Sequence, residues 1–355
     1  MRTSHLFFRQ NKDSVTFPKK NLNGKICLSP FVSVEVGLSG EIRLCGCSHW
    51  MPITIGNIFE NTLPELLGNL TAQKIRQSII DGTYVYCDEN SCGIIRNDFL
   101  NSLDTLPESV TWQIQDSSRF LMPNEIFISV DQTCNLSCPS CRMEVIKPTS
   151  EEKKQREKLA KTLRDNIFAQ PTDQEINLTI STTGELFASN LLLSFLNGIS
   201  LDQFPNVKLL IQSNGLLCKK NWKKLGALQN SVKQITVTID AAKPETYEKL
   251  RRGGTWNEIM SAMTWLQKKK KENNMKLYTR IVVQKDNYKE IEDFYKLSKQ
   301  FDADRIEYSR IKNWYTMSPE QWADVDVLNP SHSLYHEAAK CLDSIKDLPD
   351  VVTWG

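Results

Sequence analysis

Apolar runs alternate with amphipathic stretches through the chain after about residue 119. Short apolar runs bounded by turns predict buried strands, and charged stretches with apolar residues three or four positions apart predict helices. The predicted strands are 126–130, 176–180, 207–212, 235–239, 277–283 and 305–308. The helical patterns are 150–168, 189–196, 219–228, 256–271 and 288–300. This alternation predicts an α/β fold with parallel strands, and six repeats favour an open, partial (β/α)6 barrel of the TIM type.

The first third of the chain has a different pattern. Residues 33–44 alternate around a Leu38-Ser-Gly40 turn, which predicts a β-hairpin, and apolar residues at helical spacing over 63–79 predict a helix. Residues 101–123 show no clear period and predict a connection. We therefore predict a small α+β domain with its linker at 1–118, a barrel domain at 119–320 and a tail packed on the barrel at 321–355.

Composition and charge narrow the class of protein. The chain has 355 residues, a formal net charge of +2 and a mean hydropathy of −0.39. A near-neutral chain argues against nucleic acid as an obligatory partner. No apolar run is long enough to span a membrane, and the first residues lack the apolar core of a signal peptide. We expect a cytoplasmic protein whose ten cysteines are reduced.

Three cysteines follow the first predicted strand of the barrel. Cys134, Cys138 and Cys141 have the spacing C-x3-C-x2-C in the loop that leaves this strand. Thiolates in a short loop suit an iron-sulfur cluster, and three ligands for four irons leave one iron open to a cofactor or substrate. Zinc would require a fourth ligand, and neither His nor Cys follows within the next turn. Three unrelated buried cysteines are the remaining alternative.

This motif at the end of a first strand resembles that of the radical S-adenosylmethionine (radical SAM) superfamily. The resemblance implies a 4Fe-4S cluster on these cysteines, with SAM bound at the open iron. It also implies release of a 5′-deoxyadenosyl radical that abstracts a substrate hydrogen, with the active site at the C-terminal strand ends. Many members have an aromatic residue next to the third cysteine, at the position of Ser140.

Further strand ends carry residues that the resemblance assigns to SAM binding. Thr183-Gly184-Glu185 resembles the Gly-Gly-Glu motif, which implies contacts to the methionine ammonium group. Ser213 and Asn214 match a position that contacts the ribose or the cluster. An ordinary Thr-Gly-Glu turn and an Asn-Gly turn are the structural alternatives.

The fourth predicted strand ends with a similar signal. On the same resemblance, Thr238 and Arg251 would hold the methionine carboxylate, because a guanidinium can bind a carboxylate through two bonds. Arg252 could replace Arg251 in this role. Asp240 would anchor the strand or contact substrate.

The first domain contains Cys27, Cys45, Cys47, Cys87 and Cys92. The hairpin would bring Cys27 and Cys45 together, and the spacing to Gly40 and the later cysteines resembles SPASM or twitch domains. That resemblance implies one auxiliary 4Fe-4S cluster on Cys27, Cys87, Cys92 and either Cys45 or Cys47. Such domains usually follow the barrel, whereas this one precedes it. A structural zinc site is the alternative.

Other features have simpler interpretations. Cys218 and Cys341 are expected to be packed thiols, and the basic run 268–271 a solvated helix face. Five rings in the tail would line the substrate opening or pack on the barrel: Trp314, Trp322, His332, Tyr335 and His336.

The sequence therefore predicts a radical SAM enzyme of the oxidoreductase type that modifies a peptide as a maturase, with a flavodoxin- or ferredoxin-type reductant. A radical SAM epimerase or dehydratase acting on a sugar or nucleotide-sugar is the first alternative. A non-catalytic iron-sulfur electron-transfer protein, or a zinc-stabilised binding protein, is the second.

Overall fold

The structure is a computed structural model that describes residues 21–145, 148–180, 183–314 and 316–354. Residues 1–20, which begin the predicted first domain, lie outside the described residues. Ser181 and Thr182, which precede the predicted Gly-Gly-Glu-like motif, also lie outside them. No described helix combines the length and the apolar character needed to cross a membrane.

Most strands join one central sheet. The strands of the described residues are β1 (Lys25–Ile26), β2 (Ser33–Val36), β3 (Glu41–Arg43), β4 (Gly56–Asn57), β5 (Asn101–Ser102), β6 (Glu125–Ile128), β7 (Ile176–Ile180), β8 (Val207–Ser213), β9 (Val232–Thr238), β10 (Lys276–Val283), β11 (Arg305–Arg310) and β12 (Val351–Trp354). Ten of them form a sheet in the order β12-β11-β10-β9-β8-β7-β6-β2-β3-β4, and β1 pairs with β5 separately. Neighbours from β12 to β2 are parallel, and only β3 and β4 join antiparallel. The predicted α/β fold with a mostly parallel sheet is confirmed.

Helices connect the parallel strands. Those of the described residues are α1 (Ser29–Val32), α2 (Leu63–Gly68), α3 (Leu70–Ile80), α4 (Gly93–Arg96), α5 (Glu108–Ile114), α6 (Ser150–Ile167), α7 (Asn190–Asn197), α8 (Cys218–Asn221), α9 (Pro244–Leu250), α10 (Trp256–Asn273), α11 (Ile291–Gln300), α12 (Pro319–Val325) and α13 (Tyr335–Asp343). The two longest begin with capping boxes, Thr149 with Glu152 and Thr255 with Glu258. These reciprocal bonds satisfy backbone groups at the helix starts and fix where each helix begins.

The strands present different residues on their two faces. On β8, Val207, Leu209 and Ile211 are buried in one core with residues of α6, α7 and α10, as the two-residue period of a strand requires. The opposite face is polar: the Arg280 guanidinium donates to Glu307 at 2.8 Å and to Gln212 at 3.1 Å. This polar face lies below the strand ends that carry the predicted site.

The first third of the chain forms a unit with its own small core, which includes Ile26, Phe31, Ile79 and Tyr84. The predicted hairpin is confirmed as the antiparallel pair β2 and β3. Strand β2 also pairs in parallel with β6, so the hairpin extends the central sheet.

The opposite edge of the sheet contacts the same unit. Asn97 donates its side-chain amide to the Thr353 carbonyl of β12, and the Trp354 ring lies edge-to-face with Phe99 at 5.9 Å. A Cβ atom added to Gly93 would lie 3.3 Å from the Trp354 ring. The first unit therefore contacts both β6 and β12 through its strands and loops.

Two elements differ from the sequence prediction. The predicted helix at 219–228 is the short α8 followed by a 3-10 segment, Trp222–Ser231, because Gly226 has a left-handed φ of 57° that interrupts helical bonding. The predicted connection at 101–123 contains β5 and α5, whose Val110 is fully buried. Both elements are too short for a residue period to reveal them.

Candidate active site

The three cysteines of the C-x3-C-x2-C loop lie just beyond the end of β6. The backbone N–H of Cys141 donates to the Cys138 carbonyl at 2.9 Å, and that of Leu136 donates to the Cys134 sulfur at 3.4 Å. Leu136 is buried and anchors the middle of the loop. The loop therefore has a packed backbone that presents three thiols from within eight residues.

Gly184 lies directly against this loop. A Cβ atom at position 184 would lie 2.4 Å from the Thr133 carbonyl oxygen and 2.8 Å from that of Asp131. The Glu185 N–H donates to the same Thr133 carbonyl at 2.8 Å. Only glycine permits this approach of the segment after β7 to the residues that precede Cys134.

The Glu185 carboxylate joins β7 to β8. Its oxygens accept bonds from the Phe187 N–H at 3.2 Å, the Ser213 hydroxyl at 2.9 Å and the Asn214 N–H at 2.7 Å. The side chain is 1% exposed, and this burial raises its pKa despite the three donors. Glu185 thus fixes the backbone at Asn214.

Asn214 transmits this constraint to the cysteine loop. Its side-chain N–H donates to the side-chain oxygen (Oδ1) of Asn135 at 2.9 Å and lies 3.8 Å from the Cys134 sulfur. The buried thiol of Cys218 contacts the Ser213 hydroxyl at 3.4 Å and has no exposed surface. The prediction of a packed thiol at Cys218 is confirmed.

Arg251 connects the end of β9 to the cysteine loop. Its guanidinium donates to the Thr238 carbonyl at 2.7 Å, lies 3.1 Å from the Asp240 carboxylate and lies 3.6 Å from the Cys138 sulfur. Asp240 also accepts the Val282 N–H at 2.7 Å. Burial raises the Asp240 pKa, although Arg251 opposes this shift. Asp240 therefore anchors the strand end, one of its two predicted roles.

Arg252 has a different environment. Its Nε donates to the Ser137 carbonyl at 3.0 Å, and the Arg252 carbonyl accepts the Ser137 N–H at 3.0 Å. These contacts hold the cysteine loop at Ser137. Arg251, in contrast, lines the cavity described next.

These strand ends surround a cavity of about 160 Å³. Its walls come from the cysteine loop, from the ends of β9 and β10 and from the segment after β11: Cys138, Ser140, Cys141, Thr238, Asp240, Arg251, Val282, Ile311, Lys312 and Trp314. The structure thus brings Ser140, Thr238 and Arg251 together beside two of the cysteines. The other residues predicted to bind SAM are not in this wall. They connect to one another and to the segment around Cys134: Gly184, Glu185, Ser213 and Asn214.

Sequence reasoning missed three charged residues. Arg142 donates to the carbonyls of Gln132 and Thr183 and lies 3.4 Å from the Cys141 sulfur. Asp131 pairs with Arg156 of α6 at 2.8 Å. Arg142 directly follows the third cysteine, yet no spacing in the sequence distinguishes it from a surface arginine.

The five cysteines of the first unit form a second thiol group. The Cys45 thiol interacts electrostatically with Cys27, Cys47 and Cys92, and the Cys87 thiol with Cys27 and Cys92. Burial raises the pKa of each, that of Cys92 to about 11. These thiols are therefore protonated at neutral pH unless a metal replaces the protons.

Tyr84 positions the first of these thiols. Its hydroxyl accepts the Cys27 N–H at 3.1 Å and donates to the Lys25 carbonyl at 2.8 Å, and the ring is fully buried. The Tyr84 carbonyl also accepts the Cys87 N–H at 2.9 Å. One residue thus links two cysteines that are sixty positions apart in the chain.

The number and arrangement of these five thiols can be compared with the ligands that a zinc ion or an iron-sulfur cluster requires. Within the described residues, no group of three or more His, Cys, Asp or Glu side chains is arranged for a single metal ion. Four sulfurs around zinc would each lie about 2.3 Å from it, whereas a cluster spreads its thiolates over several irons. Five neighbouring thiols are more than the four that a single zinc ion binds.

The second thiol group lies close to the cavity. The His49 and Trp314 rings are edge-to-face at 4.6 Å, and the Lys312 ammonium lies 5.6 Å from the centre of the Trp50 ring. Gly46, between Cys45 and Cys47, lies against the Phe127 ring of β6. The predicted role of Trp314 at the opening agrees with its place in the cavity wall.

Comparison with known proteins assigns this arrangement. Residues 128–298 match the family model of the Radical SAM superfamily. This part of the chain is therefore similar to the radical SAM superfamily domain. The matched range begins at the last residue of β6, contains the cysteine loop and extends into α11. The match agrees with the family that the cysteine loop resembles.

Curated relatives match part of this chain. GTP 3′,8-cyclase of Alkaliphilus metalliredigens is 26% identical over 143 residues, which cover 39% of this chain and 42% of the relative. FeMo cofactor biosynthesis protein NifB of Methanocaldococcus infernus is 29% identical over 132 residues, which cover 35% and 42%. The chain therefore matches less than half the length of these relatives.

Solved structures are also similar. Streptococcus suis SuiB bound to the precursor peptide SuiA has a TM-score of 0.42 and 14% identity, with 82% of this chain and 64% of that chain covered. SuiB bound to S-adenosylmethionine has the same TM-score and identity, with 74% and 59% covered.

Proposed function

We propose that this protein is a radical SAM enzyme that binds a 4Fe-4S cluster through Cys134, Cys138 and Cys141. The single observation that supports this most is the cavity, in which two of these thiols meet Thr238 and Arg251 at the C-terminal strand ends. When bound, the cluster and SAM supply a 5′-deoxyadenosyl radical that abstracts a hydrogen atom from the substrate. The protein's own residues hold and orient these groups.

Arg251 has donors left for a ligand. A guanidinium has five N–H groups; the Thr238 carbonyl and the Cys138 sulfur accept one each, and Nε lies 3.1 Å from the Asp240 carboxylate as an ion pair without a hydrogen bond. Two N–H groups remain for the carboxylate of the SAM methionine. Because Asp240 and Thr238 fix the guanidinium plane, this carboxylate would meet donors that are already oriented.

The Gly184 segment would act mainly through the cysteine loop. Both Glu185 oxygens already accept hydrogen bonds, so in this proposal Glu185 positions Asn214 and the Thr133 backbone. Its direct contact to the methionine ammonium stays a prediction. Arg142 holds the third cysteine against the Thr183 carbonyl, which fixes the other end of the loop.

We further propose that residues 1–118 form a SPASM/twitch-like domain with one auxiliary 4Fe-4S cluster, before a partial barrel at 119–320. Its ligands would be Cys27, Cys87, Cys92 and Cys45, because the Cys45 thiol interacts with Cys27 and Cys92. The Cys47 thiol also interacts with Cys45 and Cys92, but its interactions include Lys312 of the cavity wall and not Cys27. A flavodoxin- or ferredoxin-type protein of the cytoplasm would supply electrons.

For the substrate, we propose a peptide, so that the enzyme acts as a maturase. This follows the resemblance of the first unit to SPASM and twitch domains, whose enzymes often modify ribosomally made peptides. The test is incubation with a short peptide encoded beside the gene, followed by mass spectrometry. A change in peptide mass that requires SAM supports the proposal, and turnover of a nucleotide-sugar instead would replace the peptide with that substrate.

The cofactor assignment has its own test. Anaerobic reconstitution followed by iron and sulfide counting should give about eight irons in the wild type and about four when Cys134, Cys138 and Cys141 are all changed to Ala. Addition of SAM to the reduced wild type should change the electron paramagnetic resonance spectrum, and the triple variant should not respond. A SAM response that survives in the triple variant would place SAM elsewhere.

A further inference from the structure

The cavity contains a lysine that no established feature uses. Lys312 is the second residue after β11, lines the cavity with Cys138 and Arg251, and is half-buried. Within the part of the chain that the structure describes, no carboxylate lies within ion-pair distance of its ammonium group. The ammonium group lies 5.6 Å from the centre of the Trp50 ring and also interacts electrostatically with Cys47 and His49.

The other charges of the cavity compensate each other. Asp240 and Arg251 lie 3.1 Å apart, and both side chains are nearly buried. Arg280, on the strand face below, is paired with Glu307. Among the described residues, Lys312 is therefore the charged group of the cavity wall that has no ion-pair partner, so an anionic ligand could pair with it without displacing a carboxylate.

The neighbourhood of Lys312 also contains polar atoms without partners. Among the described residues, His49 Nδ1 and Trp50 Nε1 are buried and make no hydrogen bond. Trp50 is the ring under Lys312, and His49 packs on Trp314, the residue two positions after Lys312. Trp50 Nε1 is a donor, whereas His49 Nδ1 donates or accepts according to its tautomer. Buried polar atoms are normally paired, so unpaired ones beside a cavity mark a place for a polar ligand.

We propose that Lys312 binds an anionic oxygen group of the substrate, a carboxylate or a phosphate, between the cysteine loop and the Cys47–Trp50 segment. This inference rests on the proposed radical SAM function, because it places the substrate beside the SAM cavity. The rings of Trp50 and Trp314 form the walls of this site. An acidic side chain of a peptide and the diphosphate of a nucleotide-sugar are the two sources of such a group.

The test is protection of Lys312 from chemical acetylation in the full-length, anaerobically reconstituted protein with SAM present. An N-hydroxysuccinimide ester modifies free amines, and mass spectrometry measures the rate at Lys312. Lys296 on α11 is the internal control, because its contact is the exposed Asp293. The probes are an acetylated peptide with two glutamates, its glutamine counterpart, UDP-glucose and uridine.

The expected result is that an anionic probe slows acetylation of Lys312 severalfold, whereas its uncharged counterpart and Lys296 show no change. Protection by the glutamate peptide identifies the carboxylate source, and protection by UDP-glucose identifies the phosphate source. Affinity for the protecting probe should fall about tenfold in Lys312→Gln and be largely retained in Lys312→Arg. Equal acetylation with every probe overturns the inference.

Two further results separate this inference from its premises. If Lys312→Gln changes only the spectrum of the first unit's iron and keeps full probe affinity, Lys312 serves the second thiol group and the inference is wrong. Protection without any 5′-deoxyadenosine from the wild type would leave the anion site intact and reject the radical function. Deoxyadenosine without protection would reject the anion site alone.

Discussion

Gly184→Ala should disrupt the cysteine loop while leaving the rest of the fold intact. The added methyl group would lie 2.4 Å from the Thr133 carbonyl oxygen and 2.8 Å from that of Asp131, and both are backbone atoms. Unlike the end of a flexible side chain, a backbone carbonyl cannot rotate away alone, so the whole loop must move by several tenths of an ångström. Overpacking of this kind costs about 1–3 kcal/mol.

Gly198→Ala is the matched control. Its added methyl group would lie 2.3 Å from the Arg164 guanidinium, which is the end of a flexible side chain and can move away. Gly198 has an ordinary φ of −86°, so alanine fits its backbone. This variant should be neutral or slightly more stable, by about 0.4–1 kcal/mol, because alanine lowers the entropy of the unfolded chain.

Urea unfolding and iron counting measure the two effects. We expect Gly184→Ala to have a lower unfolding midpoint than Gly198→Ala, by about 1.5–4 kcal/mol in free energy. It should also load less iron at the cysteine loop and bind SAM more weakly, with the iron of the first unit retained. Equal midpoints and equal iron in the two variants would refute the close packing on which this reasoning depends.

Three further predictions follow from individual contacts. Burial raises the Glu185 pKa above its ordinary 4.5, so the folded state binds more protons than the unfolded state above about pH 4.5, and stability falls as the pH rises through that window. Glu185→Gln should reduce the fall in stability between about pH 5 and pH 7 in urea unfolding, while Asp240 and other buried carboxyls keep part of it, and an unchanged slope would contradict the assignment. Arg251→Gln leaves the Asp240 carboxylate buried without its partner and should lower the free energy of unfolding by about 3–5 kcal/mol. Adding Asp240→Asn should restore part of this loss. No rescue by the second change would mean that the pair is not coupled. Tyr84→Phe removes a hydroxyl that bonds the Cys27 N–H and the Lys25 carbonyl, so thermal unfolding should show a stability loss of about 1–2 kcal/mol. Iron counting should show that iron is lost from the first unit alone. Loss of iron from the Cys134 loop instead would contradict this.

The parallel sheet was predictable because its strands are apolar runs with clear boundaries. Strand β7 has the predicted limits, and β8 and β10 differ from them by one residue. Strand β12 was missed because Val351–Trp354 is a short run beside the chain end, and only its pairing with β11 identifies it as a strand. The pairing of β2 with β6 could not be predicted, because the sequence of a hairpin does not indicate which other strand will pair with its edge.

The candidate site was also predictable only in part. Cysteine spacing pointed to the loop, and the resemblance to radical SAM proteins pointed to Thr238 and Arg251, which the structure places in one cavity wall. The geometry of Glu185 was not available from sequence, since its partners Ser213 and Asn214 are about thirty residues away. Lys312 has no motif at all, and only its position in the cavity wall distinguishes it from the other lysines.

The most direct test of the central claim is 5′-deoxyadenosine release by the anaerobically reconstituted, reduced protein with SAM. The account predicts release by the wild type and none by the variant in which Cys134, Cys138 and Cys141 are all alanine, although that variant keeps about four irons in the first unit. A fully iron-loaded wild type that releases no 5′-deoxyadenosine, with or without candidate substrate, would contradict the assignment of radical chemistry to this cavity.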